Sequence, residues 1–511
     1  MTAICHSTIK SNDGLWVLFA VCLAALTLPL SFSGGAIATP AIGRDLGGSA
    51  AALTWITNAF MLTFGSLLMA AGALADQFGR RRIFTTGIAS FAVFSLASGF
   101  VSSVVTIDLL RAAQGMGAAA ALAGGSAAIA QEFDGHARTK AFSMLGTTFG
   151  VGLAFGPVLM GLLIDSYGWR SIFISSGLVG VAAIALGVPR MRETRDPNAA
   201  RLDWPGVMSF TAMLSLFTFA VIEAPAHGWT SPLTLSLFTG SASMLAAFVL
   251  IELRTPRPML DLSLFKYPQF VGVQLLPIAT CYSYVVLLIL LPLRFVGVQG
   301  LSEIDAGLLM LALSAPMLIV PFVTANLARL IPPAILSSVG LLIAAGGVFW
   351  LGRVSPGPGF ATLPPLVAAL PVVPPMLVIG FGAAIPWGLM DGLSVSVVPK
   401  ERAGMAAGIF NTSKVANEGV ALATVSAALG ILMARSLDSV TFTASGKEIL
   451  PEIAQRVVAG DVVNAAALLP GLSKAALAES YFHAFQSLTA VLALVSAGAA
   501  VTIFFLLGRR V

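Results

Sequence analysis

Read for apolar and polar positions, the chain is a succession of apolar runs of about 20 residues separated by short polar turns. At 1.5 Å of rise per residue, a helical run of that length crosses roughly 30 Å of hydrocarbon. The runs fall near residues 15–37, 51–75, 83–105, 107–130, 139–163, 170–189, 205–224, 232–252, 270–293, 306–328, 333–352, 374–398, 404–434 and 483–507. Fourteen membrane-spanning helices are therefore expected. The proline-rich stretch Ala361 to Val398 reads as a helix with or without a lead-in segment, and is taken as one helix. One long polar loop, Ser436 to Tyr481, breaks the rhythm before the last run.

Composition sharpens this into an all-α integral membrane protein. The chain is 57% hydrophobic and 10% charged, against about 25% charged in ordinary soluble domains, and its mean hydropathy is +0.93. The net charge of +5 does not point to nucleic acid. The basic residues lie in short clusters between apolar runs, where membrane topology accounts for them. Cys5, Cys22 and Cys281 are too few and too scattered for a disulfide framework or a metal site, and no cofactor is expected. The first apolar run is too long for a cleavable signal, and more follow.

Lys and Arg in the connections set the orientation. With the N-terminus inside, the inner connections hold Arg80, Arg81, Arg82, Arg138, Lys140, Arg190, Arg192, Arg195, Arg201, Arg254, Arg257, Lys266, Arg329, Lys400 and Arg402, with Lys10, Arg509 and Arg510 at the ends. The short outer connections hold only Arg44, Arg170, Arg294, Arg353 and Arg435. Both termini are thus expected in the cytoplasm of a multi-pass cell-membrane protein.

The stretch GALADQFGRRRIF, Gly72 to Phe84, falls in the turn between the second and third helices. A positive-inside anchor explains its arginines but not Asp76 or the spaced glycines. The pattern Gly72-x-Leu74-x-Asp76-x-x-Gly79-Arg80-Arg81 resembles the signature loop of the major facilitator superfamily. That resemblance implies that Asp76 caps a neighbouring helix terminus and pairs with arginine, latching the cytoplasmic side. The chemistry suits the role, since carboxylates stabilise helix N-termini and arginine forks pair directionally. Helix 4 carries Arg111-x-x-Gln114-Gly115-x-Gly117, similar to the superfamily's fourth-helix motif. Helix 5 carries Gly152-x-x-x-Gly156-Pro157-x-x-x-Gly161, resembling the motif of antiporters. Small residues every four positions let helices pack backbone to backbone, and Pro157 permits a bend. A tight, bendable seam between the halves is expected there.

Further matches are Gly168-Trp169-Arg170 with Phe173, Asp203-Trp204-Pro205-Gly206, and Glu252-x-Arg254 leading into Pro258-Met259-Leu260. Together they resemble the fourteen-helix drug:proton antiporters of the EmrB/QacA type. The resemblance implies a six-helix half (1–190), two extra helices with linkers (191–268) and a second six-helix half (269–511) carrying the outer loop 436–481. An internal repeat agrees: RTKAFSMLGTTFG, from Arg138, is similar to RAGMAAGIFNTSK, from Arg402. The second copy of the charged turn, ANLARLIPPA, keeps Arg329 but has no acid and no glycine.

Ionisable residues inside membrane helices are costly and mark candidate functional positions. Arg111, Asp391, Lys414 and Glu418 are the candidates for proton coupling. Lys414 and Glu418 stand at i and i+4 on one helix face, as a coupling site or as a self-neutralising pair. Asp391 has no ionisable neighbour within a turn, so its partner is expected on another helix, and its carboxyl is expected to be buried and to carry the proton. The resemblance assigns Arg111 to proton coupling; the alternative is an ion pair with Asp108. Asp108 and Glu223 are expected to be solvated near outer helix ends. One departure stands out. Family members carry an acid in helix 1, but the stretch LSFSGGAIATP has Ser31 at that place. Asp391 or Glu418 is then expected to take over, or the coupling differs.

The substrate site is expected between the halves near the midplane, with Ser31, Ser33, Gln114, Trp387, Asn411 and Asn417 as candidate lining residues. The function expected is proton-driven export of hydrophobic or amphipathic compounds. The alternative is a transporter, facilitative or ion-coupled, of one metabolite. An enzyme is not expected, since the chain has neither an H-E-x-x-H motif nor a mid-membrane histidine. No G-x-x-x-x-G-K-[ST] loop is present to hold ATP. The expected partners are a small-molecule substrate, protons and the bilayer. A monomer is expected, and the resemblance implies a periplasmic adaptor protein where the cell has an outer membrane.

Overall fold

The computed structural model describes residues 11–133, 135–195, 203–255, 258, 260, 262–354, 365–398, 403–438, 444–468 and 473–508. Several cations of the topology argument (Lys10, Arg201, Arg257, Lys400, Arg402, Arg509 and Arg510) lie outside these residues, as does Met259 of the Pro258-Met259-Leu260 match.

The described residues form helices and turns. In order they are α1 (Ser11–Leu46), α2 (Ala50–Phe78), α3 (Arg80–Ser98), α4 (Val104–Glu132), α5 (Gly135–Tyr167), α6 (Arg170–Gly187), α7 (Trp204–His227) and α8 (Pro232–Arg254). Then come α9 (Pro268–Val298) and α10 (Glu303–Leu327). The last are α11 (Pro333–Arg353), α12 (Val373–Ser396), α13 (Ala403–Asp438), α14 (Ala444–Val458), α15 (Val462–Ala467) and α16 (Lys474–Gly508). The turns carry local stop and start signals. The side chain of Ser49 accepts a hydrogen bond from Ala52 N at 3.2 Å and so caps α2. Asp203, Ser231 and Ser302 cap α7, α8 and α10 in the same way.

Twelve helices among the described residues are long and apolar enough to cross a membrane. The two long helices outside that set are α3 and α4, for a compositional reason. α3 opens on Arg80, Arg81 and Arg82, while α4 carries Asp108, Arg111 and Gln114 and many small residues. The small residues serve close packing. A Cβ at Gly117 would lie 2.7 Å from Phe91 N, and one at Gly124 2.6 Å from Phe84 N. α4 thus lies backbone to backbone on α3, and Gly115 meets α2 equally closely.

The proline-rich stretch resolves into a lead-in of short turns, Pro365–Ala369 and Leu370–Val372, followed by α12. Residues 361–364 lie outside the described set. α9 runs past its expected end at 293 through two π turns, Cys281–Val285 and Leu293–Val298. Arg294 is therefore part of α9 and 1% exposed, not a residue of an outer connection. α7 packs Val221 and Ile222 against Ala423 and Ala427 of α13, and its Phe219 ring lies 5.7 Å from Trp55 of α2. α8 packs on α7 with most of its surface outward.

The two faces of the bundle differ. The latch face carries the Asp76 turn, and the loop face carries α14 and α15. At the loop face Arg44 at the end of α1 pairs with Glu303 of α10 at 2.7 Å. Arg456 of α14 donates to Gly48 O at 3.4 Å and pairs with Glu452 at 3.1 Å and Asp461 at 3.3 Å. Gly297 of α9 leaves no room for a Cβ against the Gly460 backbone, and a Cβ at Gly460 would meet Pro40 of α1 at 3.0 Å. The loop helices thus form a lid resting on α1 and α9 together. Arg456→Ala removes three of these polar contacts. It is expected to speed hydrogen exchange in 444–468 with little change elsewhere; equal rates across the chain would contradict a docked lid.

Candidate functional site

The charged turn holds together through Asp76 and Arg80. Arg80 Nη2 donates to Asp76 Oδ1 at 2.9 Å and Nε to the same oxygen at 3.1 Å. Arg80 also reaches Gln131 of α4, and its backbone N–H donates to Thr194 O at 2.9 Å. The bonds of Asp76 go to Arg80, so the expected capping of a neighbouring helix by Asp76 is not what forms. Glu193, which sequence reasoning missed, does that work. Its Oε1 accepts from Arg81 N at 3.2 Å at the start of α3, and its Oε2 lies 3.6 Å from Arg82. Gly79, at φ +116°, is the turn itself, where a Cβ would strike Glu193. Gly72 has open space around it, and Leu74 is partly buried in α2. Asp76→Asn removes a half-exposed ion pair, so the expected cost in stability is under about 1 kcal/mol. A melting temperature lowered by more than a few degrees would mean the pair carries more than latching.

Inside the first six helices, Arg111 is 0% exposed. Its Nη1 donates to Ser31 Oγ at 2.7 Å and Gln114 Oε1 at 2.9 Å, its Nη2 to Ser31 O at 3.2 Å, and its Nε to Ile56 O at 2.8 Å. The guanidinium carbon stands 4.4 Å from the Phe60 ring centroid. None of these partners is a carboxylate. The alternative pairing with Asp108 does not form as a direct contact, though Asp108 is within the electrostatic reach of Arg111; Asp108 Oδ1 is buried without a hydrogen bond, which also corrects the expectation that Asp108 is solvated. Carbonyls, a hydroxyl, an amide and an aromatic face are the direct partners of Arg111. Lysine cannot serve these diverging acceptors, so Arg111→Lys is expected to cost about 1–3 kcal/mol. A thermal-unfolding midpoint equal to wild type would show that the fork does not stabilise this node.

This node corrects three cavity candidates. Ser31 and Gln114 are spent on Arg111, Gln114 also donating to Ser95 Oγ at 3.0 Å. Ser33, 1% exposed, donates to Pro29 O at 2.8 Å in its own helix. These three side chains are packing, not cavity wall.

The α5 glycines divide between two partners. Gly156 faces Ser33 of α1, where a Cβ would lie 2.7 Å from Oγ, and Gly152 presses on Pro29 of α1. Gly161 meets the Glu303 carbonyl of α10, and a Cβ at Gly307 of α10 would lie 2.6 Å from Pro157 O. The expected seam between the halves therefore involves Pro157 and Gly161, while Gly152 and Gly156 serve packing within the first half.

The remaining candidates converge. Lys414 Nζ lies 3.8 Å from Asp391 Oδ1 across the α12–α13 contact and 4.5 Å from the Trp387 ring centroid. Glu418, one turn further along α13, is within the electrostatic reach of Lys414, and both act on Cys281 of α9. The Trp387 ring lies 6.3 Å from that of Tyr284 of α9. Asn417 donates to Ser413 Oγ at 3.3 Å, and Asn411 is exposed. Asp391 is not buried as expected: its side chain is 62% exposed against 17% for Lys414. One lysine thus serves two acids in different surroundings. A groove lies elsewhere, between α11 and α16, walled by Val339, Leu342, Val501 and Phe505. It is apolar and has no part in this chemistry.

A family model described as Major Facilitator Superfamily matches residues 19–416. The tetracenomycin C resistance and export protein of Streptomyces glaucescens is 28% identical over 480 residues, covering 92% of this chain and 86% of its own. The puromycin resistance protein pur8 of Streptomyces alboniger is 32% identical over 405 residues, 78% of each chain. Among solved structures, a bacterial homolog of the human lysosomal transporter Spinster, inward-facing and unoccupied, aligns with TM-score 0.65, 15% identity and 98% of both chains. The last likeness concerns the fold alone.

Proposed function

Since the chain belongs to the Major Facilitator Superfamily, we propose that it works by alternating access as a proton-driven exporter of hydrophobic or amphipathic compounds. It is a multi-pass membrane transporter and not an enzyme. Its relatives are named for antibiotic resistance and export, and it is an efflux transporter of that kind. The finer reading has fourteen spanning helices in a 6+2+6 order, with α3 and α4 added to the twelve. The latch face and both ends lie in the cytoplasm, and the chain acts as a monomer. The lid of α14 and α15 is the surface an adaptor protein would meet.

The observation that carries proton coupling is Lys414 lying 3.8 Å from Asp391, with Glu418 one turn further along the same helix. When Glu418 is protonated it is neutral, and Lys414 is left to Asp391. When Glu418 loses the proton, it competes for the same ammonium. A compound entering beside Trp387 from the latch face would displace the proton to the cytoplasm. The contacts at the loop face support a state closed on that side. There Arg44 meets Glu303 at 2.7 Å and the lid rests on α1 and α9. Exposed Asp391 is then the entry-side partner and Glu418 the proton carrier, in place of the helix 1 acid that Ser31 does not supply.

The test is proton release on compound addition to purified protein, with a panel of lipophilic cations and weak acids between pH 6 and 8.5. At least one compound is expected to release a proton. Binding with no release at any pH would overturn antiport at a shared site and favour a facilitative transporter of one metabolite.

A further inference from the structure

Arg294 of α9 is as deeply placed as Arg111 but far less well served. It is 1% exposed, its Nε has no hydrogen-bond partner, and among the described residues no carboxylate pairs with it. Its guanidinium carbon lies 4.7 Å from the Phe485 ring centroid and 4.9 Å from that of Phe482, both on α16. Tyr481, also 1% exposed, is within its electrostatic reach, and the Tyr481 hydroxyl is unbonded as well. Aromatic faces attract a cation, but they leave its N–H donors unserved. A buried arginine normally has a paired anion or a full set of acceptors. Here two unserved donor groups share one aromatic cluster.

The location adds a direction. Arg294 is 13 residues beyond Cys281, or about 20 Å further toward the loop face at helical rise. The π turn Leu293–Val298 holds it beneath the lid, where Gly297 abuts Gly460. A compound leaving the Lys414 site toward the loop face would meet this arginine last. The planar fork matches a carboxylate or sulfonate, and the phenyl rings suit an aromatic body attached to one.

We propose that Arg294 and Tyr481 form a recognition site for a monovalent anionic group, so that the exported compounds include amphipathic anions. This deepens the exporter reading and rests on it. The same chemistry would also admit chloride.

The experiment is calorimetric titration of the full purified chain with 2-naphthoate and, separately, with chloride, in sulfate buffer. Wild type is expected to bind 2-naphthoate more tightly than chloride. Arg294→Met, which keeps apolar volume and removes the charge, is expected to weaken 2-naphthoate at least about tenfold, and Tyr481→Phe severalfold. Equal affinity in wild type and Arg294→Met overturns the proposal. If Arg294→Met does not fold, Tyr481→Phe decides alone, and wild-type affinity there overturns it. Chloride binding without 2-naphthoate binding overturns the organic-anion assignment. Wild type that exports a lipophilic cation from vesicles yet binds no 2-naphthoate keeps the exporter reading and removes this one. Failure of both removes both.

Discussion

Glu418→Gln is expected to bind exported compounds but to release no proton and to lose at least about tenfold in pH-driven export, the scale of one lost charge interaction at a buried site. Glutamine keeps the size and hydrogen bonding of the side chain and removes only its titration. In this variant Lys414 has Asp391, 3.8 Å away, as its remaining acid, so the exchange of partners cannot occur. Asp391→Asn is expected to do less to proton release, because that carboxyl is 62% exposed while Glu418 is partly buried. Its effect should fall on compound entry, seen as a raised half-saturating concentration. The measurement is proton release with a pH electrode beside uptake into inverted vesicles. Full release from Glu418→Gln, or abolition by Asp391→Asn alone, would move the proton to Asp391.

The second large effect concerns closure at the loop face. Gly161→Leu places a side chain where a Cβ would already strike the Glu303 carbonyl, so the α5–α10 contact cannot close. Overfilling a packed contact costs about 1–3 kcal/mol, enough to shift a two-state population by roughly 5- to 150-fold. Spin labels at Tyr167 and Leu308, exposed residues of α5 and α10, are expected to move apart. Gly146→Leu, with nothing within 4 Å of its Cβ position, is the control and should leave that distance alone. An unchanged distance in Gly161→Leu would show that the seam does not gate the loop face.

Much of this was legible because the bilayer imposes a simple code: apolar length gives helices, and charges inside them give candidates. Asp391 and Lys414 stood out for that reason, and the partner on another helix is there. What the code omits is facing. Position along a helix does not say which side a residue presents, so Asp391 read as buried although its side chain is exposed. Ser31, Ser33 and Gln114 read as cavity wall because they are polar; in the fold their hydroxyl and amide groups serve Arg111 and a helix carbonyl. Arg294 read as a connection residue because the apolar run was ended at 293; two π turns carry α9 past it. Glu193 gave no signal, since its role comes from where the segment after α6 folds back on α3.

Arg111, sealed in the first half with Ser31 instead of an acid, also bears on how the transport cycle is powered. Cells hold their interior electrically negative, and each elementary charge that crosses is worth about 2.3 kcal/mol per 100 mV. A carrier that must expel a cation works against that voltage and needs protons to drive it. A carrier that expels an anion is helped by it. With no acid at the Ser31 place, a proton-coupled cycle would have one fewer place to load a proton. An anionic cargo would make up the difference from the membrane voltage itself, so export should respond to a potassium–valinomycin clamp even where the pH is equal on both sides.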